Sequence, residues 1–331
     1  PAPVAKMVQQ RQRRFKKFYE QRRLTQIKKE TNYDDSNDNK EIWDTNAITP
    51  GTEFMDRLSK RLKSEIVNNK NFKHLKIIIS DSNIQGEGEH KLLDYIKSNK
   101  ELYSESNVIY GLDADLIMLC LVSRLPKIYL LRETVEFDNR IHVKGYKFLY
   151  LDITKLKENL LFEIQDMIDR KHLSDEDKNK LLDDYIFLCF ILGNDFIPHS
   201  PTVSIKHEGI NLIIDLYSRY LDQLKCNLVD VETKKINHDF LTYIMRDLGM
   251  MEDSLLKDFS IKRMKRKKPN KIYDTEYERE RDLLNFFPQF NRLKEDKIKQ
   301  GDEGWRERYY KELFHIEERY EIDKICHNYL E

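Results

Sequence analysis

The most constraining feature of the sequence is residues 109–119 (IYGLDADLIML), an apolar run interrupted by two aspartates. The run predicts a buried strand that ends at Gly111 and a helix that begins near Ala114, with Asp113 and Asp115 where the strand ends. Open α/β sheets bind their ligands at that end. Two carboxylates there repel each other unless a cation joins them, and oxygen ligands without Cys or His favour Mg²⁺ or Mn²⁺. A helix cap beside a solvated aspartate is the alternative that this stretch alone leaves open.

A second stretch repeats this order of strand, acid pair and helix. Residues 75–80 (LKIIIS) predict a buried strand, and Glu87 and Glu89 alternate with glycines just before a predicted helix at 91–97. Residues two apart in extended backbone point the same way, so both carboxylates can face one site. The acids could instead simply offset the helix dipole, but the repeated spacing favours a shared metal site.

Asp195 is the fifth candidate ligand. Residues 175–192 predict a long helix that Gly193 ends and Pro198 prevents from restarting, which places Asp195 on a tight turn. The order of elements predicts an α/β region followed by a mainly helical one. The other predicted elements are a helix at 53–68 with its apolar stripe in the core, strands at 127–131 and 148–153, a helix ending at 168, helices at 210–221, 237–248 and 303–320, and a basic loop at 261–271.

The first residues predict a strongly basic helix that runs to about residue 24. Lys6, Gln10, Arg13 and Arg14 fall at positions i, i+4, i+7 and i+8, so they share one helix face. No acidic residue lies among them. Arginine offers a bidentate fork and lysine a point charge, which together suit a phosphate group. A solvated basic face is the alternative.

Composition narrows the class of protein without identifying it. The chain has 331 residues and balances 58 basic against 58 acidic residues. The balance is not local, because residues 6–29 and 262–271 are basic, whereas 31–45 form an acidic loop. The four cysteines have no metal-ligand spacing, so neither a zinc site nor a disulfide framework is predicted. No apolar run has membrane-spanning length, and an intracellular, reducing location is expected.

Taken together, the motifs resemble those of the Xrn-type 5′→3′ exoribonuclease family. Their order and type match the amino-terminal nuclease region of that family, and residues 305–310 (WRERYY) and 326–330 (CHNYL) are similar to the start of its second, mostly helical region. The matching stretches are residues 2–15 (APVAKMVQQRQRRF), 48–52 (ITPGT), 86–91 (GEGEHK), 110–118 (YGLDADLIM) and 192–199 (LGNDFIPH).

The resemblance implies a PIN/flap-nuclease-like, mostly parallel sheet flanked by helices. It also implies a magnesium-dependent enzyme, with Mn²⁺ as a substitute, that degrades 5′-monophosphorylated single-stranded RNA processively, one nucleotide at a time, in RNA degradation or processing in the cytoplasm or nucleus. The metal-binding and catalytic residues implied are Glu87, Glu89, Asp113, Asp115 and Asp195, which would hold two ions. The residues implied to hold the substrate's 5′-monophosphate are Lys6, Gln10, Arg13 and Arg14.

The resemblance also divides the chain and raises an expectation about its activity. It implies a nuclease core at 1–215 and a helical region at 216–331 that contains the basic loop. In the family, a first strand and two further Asp ligands precede the residue 2–15 motif, so residues 1–331 alone are expected to show little nuclease activity. A flap-type DNA nuclease would share the metal ligands but not the basic helix. A non-catalytic RNA-binding scaffold is the third hypothesis, although clustered acids without a cation would destabilise it.

Overall fold

The structure, a computed structural model, describes residues 4–33, 43–134, 147–168, 172–194, 200–265, 271–286 and 296–330. They form two compact units. The first comprises the described part of Ile42–Ile186, and the second comprises the described parts of Pro3–Glu41 and Phe187–Glu331. The division at residue 215 concerns regions of sequence rather than compact units, and it stays a prediction.

The described residues are mainly helical. Along the chain the helices are α1 (Val4–Glu30), α2 (Glu53–Asn68), α3 (Gly88–Ser98), α4 (Asp115–Val122), α5 (Ile153–Met167), α6 (Asp175–Ile191), α7 (Gly209–Leu224), α8 (His238–Lys265), α9 (Glu276–Phe286), α10 (Trp305–Phe314) and α11 (Arg319–Leu330). The strands are β1 (Asn107–Tyr110), β2 (Ile128–Glu133), β3 (Phe148–Asp152), β4 (Val229–Asp230) and β5 (Lys235–Ile236). Among the helices described, none is both long enough and apolar enough to cross a bilayer.

The sheet of the first unit has the order β1-β2-β3. β1 runs parallel to β2, whereas β3 runs antiparallel to it, with Ile109 opposite Leu130 and Leu130 opposite Leu151. Alternate side chains point to opposite faces, so Ile109, Ile128 and Leu130 share one face, and all three are buried. Helices α4 and α5 pack against β2. A mixed α/β fold is therefore confirmed, while the larger, mostly parallel PIN-like sheet stays a prediction.

Several predicted elements are confirmed because local signals define their ends. α2 begins after Thr52, whose side chain accepts a hydrogen bond from the backbone N–H of Met55. α5 begins after Asp152, whose carboxylate accepts a hydrogen bond from Lys155 N–H at 3.0 Å. Side-chain oxygens at these positions satisfy amides that a helix start leaves without partners.

The predicted strand at residues 75–80 is wrong, since the structure describes this segment as irregular backbone without ladder hydrogen bonds. Leu75, Ile77 and Ile78 are exposed rather than buried. A run of β-branched residues forms a strand only where a neighbouring strand can pair with it. The apolar stripe of α2 was likewise predicted to lie in the core, but its Phe54, Leu58 and Leu62 side chains are exposed in the structure.

Two predictions in the helical region need correction. α8 continues to Lys265, so the first half of the predicted basic loop at 261–271 is helical, while residues 266–270 lie outside the described ranges. The helix predicted at 303–320 is divided into α10 and α11. The division falls after His315, whose φ of 57° is left-handed and cannot continue a right-handed helix.

The second unit has its core between α7 and α8. The rings of Tyr217 and Phe240 stack with centroids 5.4 Å apart, and Ile213 and Ile244 are buried beside them. Burying such side chains contributes about 1.5–3 kcal/mol each. The amphipathic periodicity of both helices aligns these residues on one face, which explains why this pair of helices was predicted correctly in kind though too short in length.

Candidate functional site

Glu87 and Glu89 lie at the start of α3. Glu87 occupies the position before the helix with extended backbone (φ −74°, ψ 151°), and Glu89 lies in the first helical turn. Both side chains are half-buried. The prediction that the two share extended backbone is wrong, because the helix begins at Gly88 rather than near residue 91. Both carboxylates nevertheless lie at the amino-terminal end of α3, where the helix dipole attracts negative charge.

Asp81 organises the loop before α3, and it was missed in the sequence analysis. Its Oδ2 accepts hydrogen bonds from Lys63 Nζ at 2.6 Å and from Ser59 Oγ at 2.5 Å, and its Oδ1 accepts one from Asn83 N–H at 3.0 Å. The donors, Lys63 first, hold the pKa of the Asp81 carboxyl well below its usual range. Aspartate that bonds the amide two residues ahead is a recognised turn signal, so the Asp-Ser-Asn sequence could have revealed this turn.

Lys91 closes the same loop from the other side. Its ammonium group donates to the carbonyl oxygens of Asp81 at 3.0 Å, Ile84 at 3.2 Å and Ser80 at 3.5 Å. These carbonyls belong to irregular backbone that has no sheet partner. The contact therefore ties the start of α3, and with it Glu87 and Glu89, to the loop that precedes them.

Asp113 and Asp115 lie between β1 and α4. Asp115 is the first residue of α4 and is half-buried, whereas Asp113 is exposed and its Oδ1 accepts a long hydrogen bond of 3.5 Å from Asp115 N–H. A Cβ added at Gly111 would lie only 2.2 Å from Cδ1 of Leu116. A side chain at this position would therefore force the buried Leu116 side chain to move. The predicted strand–helix junction is confirmed, since β1 ends at Tyr110 and α4 begins at Asp115.

Arg132 fixes the loop that carries this second acid pair. Its guanidinium donates from β2 to the carbonyl oxygen of Leu112 at 2.6 Å. Gly111 N–H also donates to Leu131 O at 3.1 Å. The residue immediately before Asp113 is thus held to the neighbouring strand.

The donor set fits Mg²⁺ by its chemistry, because every predicted ligand is a carboxylate. Four of the five belong to the first unit, next to helix starts, whereas Asp195 lies outside the described residues. Within the described ranges, no three His, Cys, Asp or Glu side chains are placed so as to hold a metal ion together. The assignment of five carboxylates as a metal site therefore stays a prediction.

The basic face lies on α1, which belongs to the second unit. The helix covers all four predicted phosphate ligands, so their common face is confirmed as helix geometry, although their role stays a prediction. Lys6 and Gln10 are half-buried, whereas Arg13 and Arg14 are exposed. The first turn contains no acidic residue, which leaves the positive end of the dipole uncompensated by a carboxylate there.

The far end of α1 is anchored within the second unit. Ile27 is fully buried, and the ring of Tyr33 stacks on that of Tyr277 with centroids 4.0 Å apart. Arg23 forms an ion pair with Glu30 at 3.1 Å. The carboxy-terminal end of α1 is therefore packed within the second unit, while the basic face lies toward its amino-terminal end.

Comparison with known proteins gives two family matches. The family model of the XRN 5′-3′ exonuclease N-terminus matches residues 1–134, and that of the Xrn1 helical domain matches residues 175–286. Glu87, Glu89, Asp113 and Asp115 fall inside the first match, as does the basic face of α1. Asp195 falls inside the second.

Curated relatives agree with these matches. 5′-3′ exoribonuclease 2 of Candida glabrata is 33% identical over 307 residues, which cover 81% of this chain and 30% of that protein. The Saccharomyces cerevisiae 5′-3′ exoribonuclease 2 is 32% identical over 310 residues (80% and 30%). 5′-3′ exoribonuclease 1 of Schizosaccharomyces pombe is 38% identical over 234 residues (66% and 17%). The chain spans less than a third of the length of these relatives. With both family models matched in order along it, the chain belongs to the Xrn-type 5′→3′ exoribonuclease family.

Proposed function

We propose that this protein is a 5′→3′ exoribonuclease that hydrolyses 5′-monophosphorylated single-stranded RNA processively and depends on Mg²⁺. The observation that carries the proposal is the pair of matched acid motifs in the first unit. Glu87 and Glu89 lie at the start of α3, and Asp113 and Asp115 lie at the start of α4, with the same spacing in each. Carboxylate oxygens are ligands that Mg²⁺ prefers, and metal ions catalyse phosphodiester hydrolysis in nucleases.

Bound Mg²⁺ would supply Lewis-acid chemistry for phosphodiester hydrolysis, and the ligands would be Glu87, Glu89, Asp113, Asp115 and Asp195. The amino-terminal ends of α3 and α4 carry partial positive charge, which attracts the carboxylates that lie there. Lys91 and Arg132 hold the two loops in place through backbone carbonyls.

The basic face of α1 is the proposed site for the 5′-monophosphate. Arg13 and Arg14 offer forked donors, Lys6 a compact charge and Gln10 an amide donor. Such a face binds a terminal phosphate dianion more strongly than an internal phosphodiester, because the terminal group carries more charge and more free oxygens. We therefore expect the protein to select a 5′-monophosphate end over a 5′-hydroxyl end.

An intracellular place of action, in the cytoplasm or the nucleus, is part of the same proposal.

The test is digestion of matched substrates by the full-length protein. RNA and DNA strands of one sequence, each with a 5′-monophosphate or a 5′-hydroxyl, are incubated with Mg²⁺ or with EDTA. We expect degradation of 5′-monophosphorylated RNA with Mg²⁺ and none with EDTA. Preferential cleavage of DNA would indicate a flap-type nuclease. Binding of RNA without hydrolysis under any metal condition would indicate a non-catalytic scaffold.

A further inference from the structure

The two loops that carry the acid pairs share a structural device. In each, a basic side chain from a regular element donates to backbone carbonyls of the loop rather than to the acids' carboxylates. Lys91 contacts Ser80, Asp81 and Ile84 through their carbonyls, and Arg132 contacts the carbonyl of Leu112. At both acid motifs, therefore, a basic side chain binds the backbone of the loop that carries or precedes the acids.

The hydrogen bonds of the Lys91 ammonium group join two parts of the chain that are close in sequence. Its backbone is in α3, its own N–H donates to Glu87 O at 3.0 Å, and its ammonium group reaches back to the loop at residues 80–84. Glu87 and Glu89 lie between these two attachment points. Gly86 has a φ of 103°, which is left-handed backbone that glycine adopts without strain, so the turn into α3 is open to a glycine here. The ammonium group thus fixes how the chain enters α3.

Arg132 acts on the second loop in a similar way. The loop residues 111–114 join β1 to α4 and form no ladder of their own. Gly111 N–H and Leu112 O are both bonded to β2, one through Leu131 and the other through Arg132. This hydrogen bond is exposed, so water can replace the guanidinium, and its loss would release the residue directly before Asp113 from β2.

We infer that Lys91 and Arg132 are positioning residues, which fix the backbone directly before each acid pair and thereby support its binding of a divalent cation. This inference rests on the proposed function. Ligands must be held to within a fraction of an ångström for tight metal binding, and residues that orient ligands without touching the metal typically change its affinity by about 10–100-fold.

The experiment compares variants of the full-length protein. Lys91→Met removes the ammonium group that contacts the carbonyls, Arg132→Gln replaces the guanidinium with a neutral amide on a shorter side chain, and Arg132→Lys keeps a cationic donor. Lys97→Met is the matched control, because it removes an exposed lysine from the last turn of the same helix. Binding of Mn²⁺ is measured by electron paramagnetic resonance, and RNA hydrolysis is measured as a function of Mg²⁺ concentration.

For Lys91→Met and Arg132→Gln we expect the Mn²⁺ dissociation constant and the half-saturating Mg²⁺ concentration to rise about tenfold. The KM for 5′-monophosphorylated RNA should stay unchanged, and saturating Mg²⁺ should restore most of the rate. Arg132→Lys should recover most of the affinity, and Lys97→Met should behave as wild type. A general loss of stability would not produce this selective dependence on metal concentration.

Wild-type Mn²⁺ affinity in Lys91→Met and Arg132→Gln would overturn the inference while leaving the proposed function intact. An equal shift in Lys97→Met would also overturn it, since the effect would then be one of net charge. If Lys91→Met does not fold, Arg132→Gln and Arg132→Lys decide the question by the same criteria. A wild-type protein that neither binds Mn²⁺ nor hydrolyses RNA would refute the proposed function itself, and the inference with it.

Discussion

Asp81 illustrates how one carboxylate shapes the candidate site without belonging to the predicted ligand set. Its bonds to Lys63 and Ser59 join the loop before α3 to α2, while Lys91 joins the same loop to α3. These contacts could not be predicted from the sequence, because Lys63 is far from Asp81 along the chain and nothing in the local pattern pairs them. The turn itself could have been predicted from the Asp-Ser-Asn sequence.

We expect Asp81→Asn to lower the free energy of unfolding at pH 7. The pKa of Asp81 is lowered in the folded state, so its ionised form stabilises the fold above the unfolded pKa of about 3.9. That contribution is lost as the pH falls below this value toward the folded pKa. The difference in Tm between wild type and variant, measured by thermal denaturation from pH 7 to pH 3, should therefore narrow at low pH.

Asp56→Asn is the control for this measurement. Asp56 lies on α2 and forms an exposed ion pair with Lys60 at 2.7 Å. Exposed pairs of this kind contribute about 0–1 kcal/mol, so this variant should have a small effect on Tm. A constant difference for Asp81→Asn across the whole pH range would show that the carboxylate's charge does not stabilise the loop.

At the scale of elements, the limits of helices and strands were predicted correctly where nearby residues determine them, and wrongly where contacts with distant segments determine them. Thr52 and the apolar period define α2, and Gly111 defines the junction between β1 and α4, so both were predicted with accurate limits. The prediction of a strand at 75–80 was wrong because a β-strand forms only where a neighbouring strand can pair with it. The sequence of one segment does not show whether such a partner is present. The predicted helix at 303–320 is interrupted at His315. No glycine or proline stands at that point of the sequence, so the interruption could not be predicted.

The basic face of α1 leads to a prediction about binding. Arg13→Ala and Arg14→Ala should each weaken binding of 5′-monophosphorylated RNA by about 1.5–3 kcal/mol, as expected for hydrogen bonds to charged groups. Binding of 5′-hydroxyl RNA should barely change. The measurement is fluorescence anisotropy with both RNAs in EDTA, and Arg22→Ala, an exposed arginine off this face of the same helix, is the control. Equal losses on both RNAs would indicate a general basic surface instead.

α10 provides a prediction about stability in the second unit. The indole N–H of Trp305 donates to Asp253 Oδ1 at 2.8 Å, and Arg306 pairs with Glu252 at 2.5 Å, which docks α10 on α8. Trp305→Phe should cost about 0.5–1.5 kcal/mol for the lost hydrogen bond, more if the cavity stays open. Urea denaturation measures this cost. Trp43→Phe, which changes the other, exposed tryptophan, should have little effect, and equal costs for the two variants would contradict this view of the docking.

At the scale of the whole molecule, the two parts of the proposed function lie in different compact units. The acid pairs of α3 and α4 belong to the first unit, and the basic face of α1 belongs to the second, although α1 comes first in the sequence. Sequence patterns predicted the members of each set, because helix periodicity and acid spacing are local. They did not predict this division, because it depends on which segments pack together over long separations.

The central claim is that the acid motifs serve hydrolysis from the 5′ end of RNA, and Asp115 tests it most directly. It is the first residue of α4, so its neutralisation should change the free energy of unfolding by no more than about 1 kcal/mol. The measurement is release of mononucleotides from 5′-labelled, 5′-monophosphorylated RNA by the full-length protein with Mg²⁺. We predict a labelled mononucleotide as the first product of the wild type and, for Asp115→Asn, a rate lower by at least about 100-fold. Equal rates, or labelled products longer than one nucleotide, would contradict this account.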